Sequence, residues 1–181
     1  MDIKVTELKK YMSTKTDKEL KDEIMDLFKL SREVKEYYFL KLKPGSEKEL
    51  MEKYKKIIEN EFFPLRGNKF PDYKVLKKAV DDFKKVSRNP VYLADLMMIY
   101  VENGVEFTNT YGDIDERFYK NIAGMYQKAI AVILENDLES EFRERCRKAM
   151  EESSNIGWGF GIFMEDYYFN SIGIDDEDEE E

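Results

Sequence analysis

Apolar residues recur along this chain at helical spacing, and no segment alternates with the period of two that marks a half-buried strand. Leu20, Ile24, Leu27 and Phe28 share one helical face after Thr16, and Thr16-x-x-Glu19 forms a capping box in front of them. Thr6 is expected to cap a short first helix through Met12, and Ser31 to open a third with Val34, Tyr37, Tyr38 and Leu42 before Pro44-Gly45 breaks it. Ser46-x-x-Glu49 predicts a fourth start, with Leu50, Tyr54, Ile57, Ile58 and Phe62 buried. A fifth helix from about Pro71 places Val75, Leu76, Ala79 and Phe83 inward.

A long central helix follows Asn89-Pro90, where the missing proline N–H costs little. Asp113-x-x-Glu116 predicts the next start, with Phe118, Ile122, Met125, Tyr126, Ala129 and Ile133 on one face. A charged helix over 138–151 and an aromatic one from about Gly157 complete the chain. The pattern predicts an all-α fold of about eight to nine helices, a compact bundle or short helical array without a sheet. It predicts one domain over 1–172 and a disordered acidic tail over 173–181. Pro71 and Asp115, two apparent helix starts, lie 44 residues apart, but no residue pattern recurs at that period.

Composition sharpens this reading. In 181 residues, 42% hydrophobic and 38% charged, there are 9 Gly and 4 Pro, a balance that favours charged-faced helices over turn-rich β structure. Histidine is absent, which excludes Ser-His-Asp and Cys-His nucleophilic sites, a His base and His metal ligands. Cys146 is alone, so no intrachain disulfide forms; flanked by Arg143, Arg145, Arg147 and Lys148, it reads as an inert helix cysteine. No run reaches the 18 or so apolar residues of a membrane helix, and MDIKVTELKK has no signal-peptide core. A reduced cytoplasmic protein is expected, of bacterial source by its lysine-rich composition.

Charge is uneven. Residues 1–90 hold 23 Lys+Arg and 17 Asp+Glu, a net +6, whereas residues 91–181 carry a net −15, or −8 without the acids Asp175 to Glu181. Lys74, Lys77, Lys78, Lys84, Lys85 and Arg88 make a basic run on the fifth helix, which raises nucleic acid as a lesser possibility. Interleaved acids and the overall sign oppose it.

The candidate chemistry converges on the central helix. No Lys or Arg occurs from Asn89 to Glu116. Unrolled at 100° per residue, Asp95, Glu102, Glu106 and Asn109 fall within about 60° of one another on an otherwise apolar cylinder. Glu102 and Glu106, like-charged i, i+4 neighbours, call for compensation. A cation from elsewhere, such as Arg66, Lys69, Arg143 or Arg147, is one source, and Mg²⁺ or a cationic ligand held with Asn109, Asp113 and Asp115 is another. Gly112-Asp113-Ile114-Asp115 imitates a calcium loop but fails it, with Phe118 where glycine is needed and Gly124 where glutamate is needed. GWGFG over 157–161 follows no strand and precedes no Lys-Ser/Thr, so it is no phosphate loop; its glycines suit close packing with Trp158 wedged against a neighbour. Arg66-Gly67-Asn68-Lys69 is an anion loop or, more simply, the donor of a structural ion pair.

Several segments together resemble a family of uncharacterised bacterial all-helical proteins, a domain of unknown function. They are TELKKYM, DKELKDEIMDLF, YKKIIENEFFP with Arg66-Gly67-x-Lys69, LADLMMIYVENGVEFTNTYGDIDERFY and IGWGF, spanning about 3–170. The resemblance implies a helical domain of this length and supplies no activity, cofactor or catalytic residue. The leading functional reading is an interaction or adaptor domain that binds a protein or peptide through a groove near helix 94–110. The alternative is a small-molecule or Mg-dependent binding protein or enzyme built on Glu102, Glu106 and Asn109. Candidate site residues are Glu102, Glu106, Asn109, Asp113, Arg66, Lys69 and Trp158; no cofactor is expected.

Overall fold

The computed structural model describes residues 3–67 and 69–173. Among them are nine α-helices and no strand: α1 (Val5–Met12), α2 (Asp17–Leu30), α3 (Arg32–Leu42), α4 (Glu47–Phe62), α5 (Tyr73–Val86), α6 (Pro90–Tyr111), α7 (Glu116–Glu135), α8 (Glu139–Ser153) and α9 (Phe160–Phe169). The predicted all-helical architecture is therefore the observed one. Except for Gly173, the expected acidic tail lies outside the described residues. The chain groups into two compact units, Met1–Gly45 and Ser46–Glu181, within the span read as one domain.

The caps show which local signals the chain obeys. Thr16 and Glu19 form the predicted box: Glu19 N–H donates to Thr16 Oγ1 (3.3 Å) and Thr16 N–H to Glu19 Oε2 (2.8 Å). Ser31 Oγ accepts from Val34 N–H (3.2 Å), and Asn89 Oδ1 from Val91 N–H, with Pro90 in the first turn. Three starts differ from expectation. α4 follows Ser46 as predicted, but the Ser46 side chain makes no cap hydrogen bond, so the predicted box with Glu49 does not form. α1 begins after Lys4, not at a Thr6 cap, because the Glu7 carboxylate reaches back to Lys4 N–H (2.8 Å). α7 is capped by Asp115, whose Oδ1 accepts from Phe118 N–H (2.7 Å), which leaves Asp113 outside the helix for other work.

In the unit of α1 to α3, Tyr11 Oη donates to Glu23 (2.7 Å) and Phe28 meets Tyr38 edge to face (6.2 Å). The apolar positions predicted for α2 fall within that helix, yet Ile24 and Leu27, like Leu8 and Met12 of α1, stay exposed, so the unit's own helices do not cover them.

In the unit of α4 to α9, α6 packs against α4, α5, α7 and α8. Leu96 to Val101 are all buried, and at 100° per residue they meet protein in every direction around the axis. α7 approaches so closely that a Cβ on Gly104 would fall 2.3 Å from Ile122 Cδ1. α9 packs on α8 and α7, with Gly161 set against the Ser153 and Ser154 carbonyl oxygens, where a Cβ would lie at 2.7 and 2.8 Å. Of the three GWGFG glycines only Gly161 thus serves close packing; Gly159 has open space around it, and Trp158 is not wedged inside but 61% exposed.

Close approach at one glycine and open space at another predict opposite signs for two Gly→Ala changes. Gly161→Ala meets rigid backbone and should cost about 1–3 kcal/mol. Gly124→Ala, inside α7 with no atom within 4 Å of its new Cβ, should gain up to about 1 kcal/mol from helix propensity. Urea unfolding of each variant measures both; equal destabilisation would contradict the close approach of α9 to the end of α8.

Candidate functional site

The carboxylate stripe of α6 lies along the seam with α8. Arg145 of α8 donates Nε to Glu102 Oε1 (2.8 Å), Nη2 to Glu102 Oε2 (2.9 Å) and Nη1 to Asp95 Oδ1 (2.6 Å). This is a side-on, bidentate grip on one carboxylate with the second a turn pair away, the geometry that the planar guanidinium suits best. Burial works against the Arg145 charge, but the hydrogen bonds it donates to Glu102 and Asp95 outweigh it and hold the proton more firmly than usual. Further along the seam, Asn109 Nδ2 donates to the Glu152 carbonyl (3.1 Å). Asp95, Glu102 and Asn109 are spaced by sevens, so one helix face meets α8 three times. Glu106 is exposed and hydrogen-bonds nothing among the described residues.

The compensating cation is therefore an arginine from elsewhere in the chain, though none of the four singled out. Arg147 pairs with Glu144 and Glu151, and Lys69 with Glu61 (2.7 Å). Arg145 was legible only as a neighbour of Cys146. That cysteine is buried against Met98, with Sγ 3.8 Å from Sδ, and burial pushes its thiol up to about 12, which removes it as a nucleophile. Among the described residues no group of three or more Asp, Glu or Cys is placed to hold a metal ion.

A second polar cluster joins two segments that the sequence offered separately. Asp113 Oδ1 accepts from Tyr119 Oη (2.5 Å) and Oδ2 from Trp158 Nε1 (2.8 Å), while Tyr119 Oη accepts from Ile114 N–H (3.0 Å). Trp158 adopts φ 59°, and Gly159 follows at φ 71°, so the turn before α9 spends a left-handed tryptophan to deliver its indole to Asp113. The Tyr119 hydrogen bond, aided by Trp158, holds the Asp113 carboxyl below its ordinary range; burial and the Asp113 contact push the Tyr119 hydroxyl up.

The third feature escaped the sequence reading altogether. Glu61 is buried at the end of α4, where Oε1 accepts from Lys69 Nζ and from Asp72 N–H (2.8 Å), and this ties down the segment 63–72. The Lys69 of the predicted anion loop is thus the donor of a structural ion pair; Arg66 is exposed, and Asn68 lies outside the described residues. Beside this segment, Phe62, Pro64, Phe70, Phe107, Tyr111 and Ile114 wall an apolar cleft of about 280 Å³ with Lys69 at its edge. Another cleft, of about 540 Å³, runs past Ile57, Phe63 and Leu65. Phe63 stacks on Tyr111 (6.3 Å), and Phe70 meets Phe107 edge to face (6.1 Å). Leu65, which lines this second cleft, is 97% exposed.

What the fold and these sites define is an all-helical domain with a buried axis, an internal ion-pair seam and an aromatic-walled cleft at one end of that axis. The chain belongs to DUF6155, a family of unknown function, whose model matches residues 3–170. No curated protein and no solved structure matches it.

Replacing Arg145 by methionine should cost about 1–3 kcal/mol, since it leaves two half-buried carboxylates facing each other along α6. Adding Asp95→Asn and Glu102→Gln should recover part of that loss; thermal unfolding of the three proteins decides it, and an unchanged Arg145→Met would contradict the seam. Trp158, the one tryptophan, reports on Asp113. A depressed carboxyl contributes stability present above its unfolded-state value and lost as the pH falls through its folded-state value. Indole emission should therefore hold steady down through neutral and mildly acidic pH and change with a midpoint below about 3.9. Asp113→Asn should abolish that transition, and a midpoint above the ordinary aspartate value would contradict the arrangement.

Proposed function

We propose that this domain is a protein-interaction module, and that it binds a peptide or protein segment at the aromatic-walled cleft where α6 ends. The observation that carries the reading is an aromatic-walled cleft beside a segment that a buried ion pair anchors, on which Leu65, almost fully exposed, lines a neighbouring cleft. An exposed large aliphatic on a pinned support loses little conformational freedom on binding. The aromatic walls of the cleft supply the desolvated contact area in which binding energy concentrates.

The ligand is an apolar or aromatic side chain beside an acidic residue. The cleft takes the first, and Arg66, exposed with no ion pair among the described residues, faces the second. Glu102 and Asn109 contribute through the α8 seam to the rigidity of α6 and so to the placing of Phe107 and Tyr111. Because Arg145 already holds Glu102, the stripe has no need of Mg²⁺ or a cationic ligand, and the small-molecule alternative gains no support. We also read the protein as bacterial and cytoplasmic. Its one cysteine is a buried thiol, and among the described residues no helix is long and apolar enough to cross a membrane.

Selection from a random peptide library tests the reading. Enriched peptides should share an aromatic or large aliphatic residue next to Asp or Glu. Leu65→Ser and Tyr111→Ser should each weaken a selected peptide by about 2 kcal/mol, roughly 30-fold, while leaving the unfolding midpoint unchanged. Arg66→Glu should remove the salt dependence of binding. Peptides that bind Leu65→Ser and Tyr111→Ser as well as the parent would place the contact elsewhere and overturn the proposal.

A further inference from the structure

The residues that line the aromatic cleft come from two stretches, 62–70 and 107–114, and the two differ in charge. The first carries the cations Arg66 and Lys69. The second carries no cation; between Tyr111 and Ile114, both of which line the cleft, it carries Asp113. The Asp113 carboxylate accepts from Tyr119 Oη (2.5 Å) and from Trp158 Nε1 (2.8 Å). Both donors are neutral, so they fix the carboxylate without cancelling its charge, and a carboxylate offers about four acceptor positions. Trp158 is tied to Asp113 by the edge of its indole and is otherwise exposed, which leaves a ring face open to solvent. The cations nearest to these two residues in the sequence are engaged elsewhere. Arg117 lies over the Tyr73 ring (5.3 Å), Lys120 pairs with Glu116 (2.7 Å) and Lys148 with Glu152 (3.7 Å). Among the described residues, then, no cation hydrogen-bonds Asp113 or lies over Trp158.

A carboxylate beside an open indole face is a pair of contacts that one group satisfies at once, a lysine ammonium or an arginine guanidinium. Magnitude decides what carries that group. An exposed cation–π contact and an exposed ion pair each raise affinity by about fivefold or less. Together they are too weak to hold a free small cation, but they sharpen the binding of a ligand already seated nearby. The aromatic cleft is such a seat: Asp113 follows Tyr111 by two residues, at most about 7 Å along the chain. We propose, resting on the reading of the cleft as a peptide site, that the ligand also carries a lysine or arginine, which lies over the Trp158 indole against the Asp113 carboxylate. At about 3.3 Å per extended residue, that cation falls within about four residues of the apolar anchor. The ligand thus bears charges of both signs around its anchor, an acid for Arg66 and a base for Asp113.

Random-peptide phage selection on the full chain, followed by binding of the enriched peptides in synthetic form, tests this separately from the cleft. Peptides that lose affinity on Tyr111→Ser are cleft ligands, and these should carry Lys or Arg within about four residues of the aromatic or aliphatic anchor. Replacing that cation by the neutral citrulline should weaken binding to the parent about tenfold. The same replacement should cost less than about twofold on Asp113→Asn and on Trp158→Leu. Both peptides meet the same variant, so any loss of folded protein cancels from the ratio. Trp158 is the one tryptophan, so a tryptophan-free peptide with the cation should change its emission on binding, and the citrulline form should not. Cleft ligands without a basic residue, or a citrulline cost that is absent or equal on the parent and both variants, would overturn this inference and leave the cleft reading standing. No enriched peptide, or enriched peptides indifferent to Tyr111→Ser, would overturn both.

Discussion

Burial of α6 is the constraint on which the larger unit depends. A helix with Leu96 to Val101 buried on all sides cannot stand at the edge of a bundle; it must be enclosed, and α4, α5, α7 and α8 enclose it. Enclosure then dictates the chemistry of whatever polar residues the helix carries. Asp95 and Glu102 face α8, where carboxylates call for a cation with enough hydrogen bonds for both, and Arg145 supplies three. The close approach to α7 is set the same way, by the missing side chain at Gly104. One apolar cylinder thereby determines where an arginine, a glycine and several aromatic rings must lie.

Local signals in the chain were readable where a single short-range interaction decides the structure. Thr16-x-x-Glu19, Ser31 and Asn89-Pro90 start helices because their side chains or ring satisfy the exposed N–H groups within three residues. The errors fall where two local solutions compete. Asp113 and Asp115 could each cap α7, and Asp115 takes the role because Asp113 is drawn away by Tyr119 and by Trp158, which arrives from 45 residues downstream. Similarly, Glu7 makes a cap of Lys4 where Thr6 looked the better candidate.

The candidate site was legible in part and for the same reason. A stripe of like charges on an apolar helix states that a cation is needed, which is an energetic requirement local to α6. Which cation answers depends on how α8 is rotated, and α8 is charged around most of its circumference, so Arg143, Arg145 and Arg147 looked alike. The rotation is fixed by Cys146, Phe142 and Met150, small and large apolar positions in a charged helix. The aromatic cleft was invisible because it is assembled from three separated segments around Glu61, whose buried carboxylate looks in sequence like any solvated glutamate.

The middle of α6 is committed to holding the larger unit together, and the aromatic cleft that we propose as a recognition surface lies at the end of the helix. Native-state amide hydrogen exchange tests the premise directly. The amides of Leu96 to Val101 should exchange only through global unfolding, with the highest protection in the chain. Exchange of those amides through an opening of lower free energy than the cores of α4 and α7 require would show that α6 is not the axis on which the rest is built.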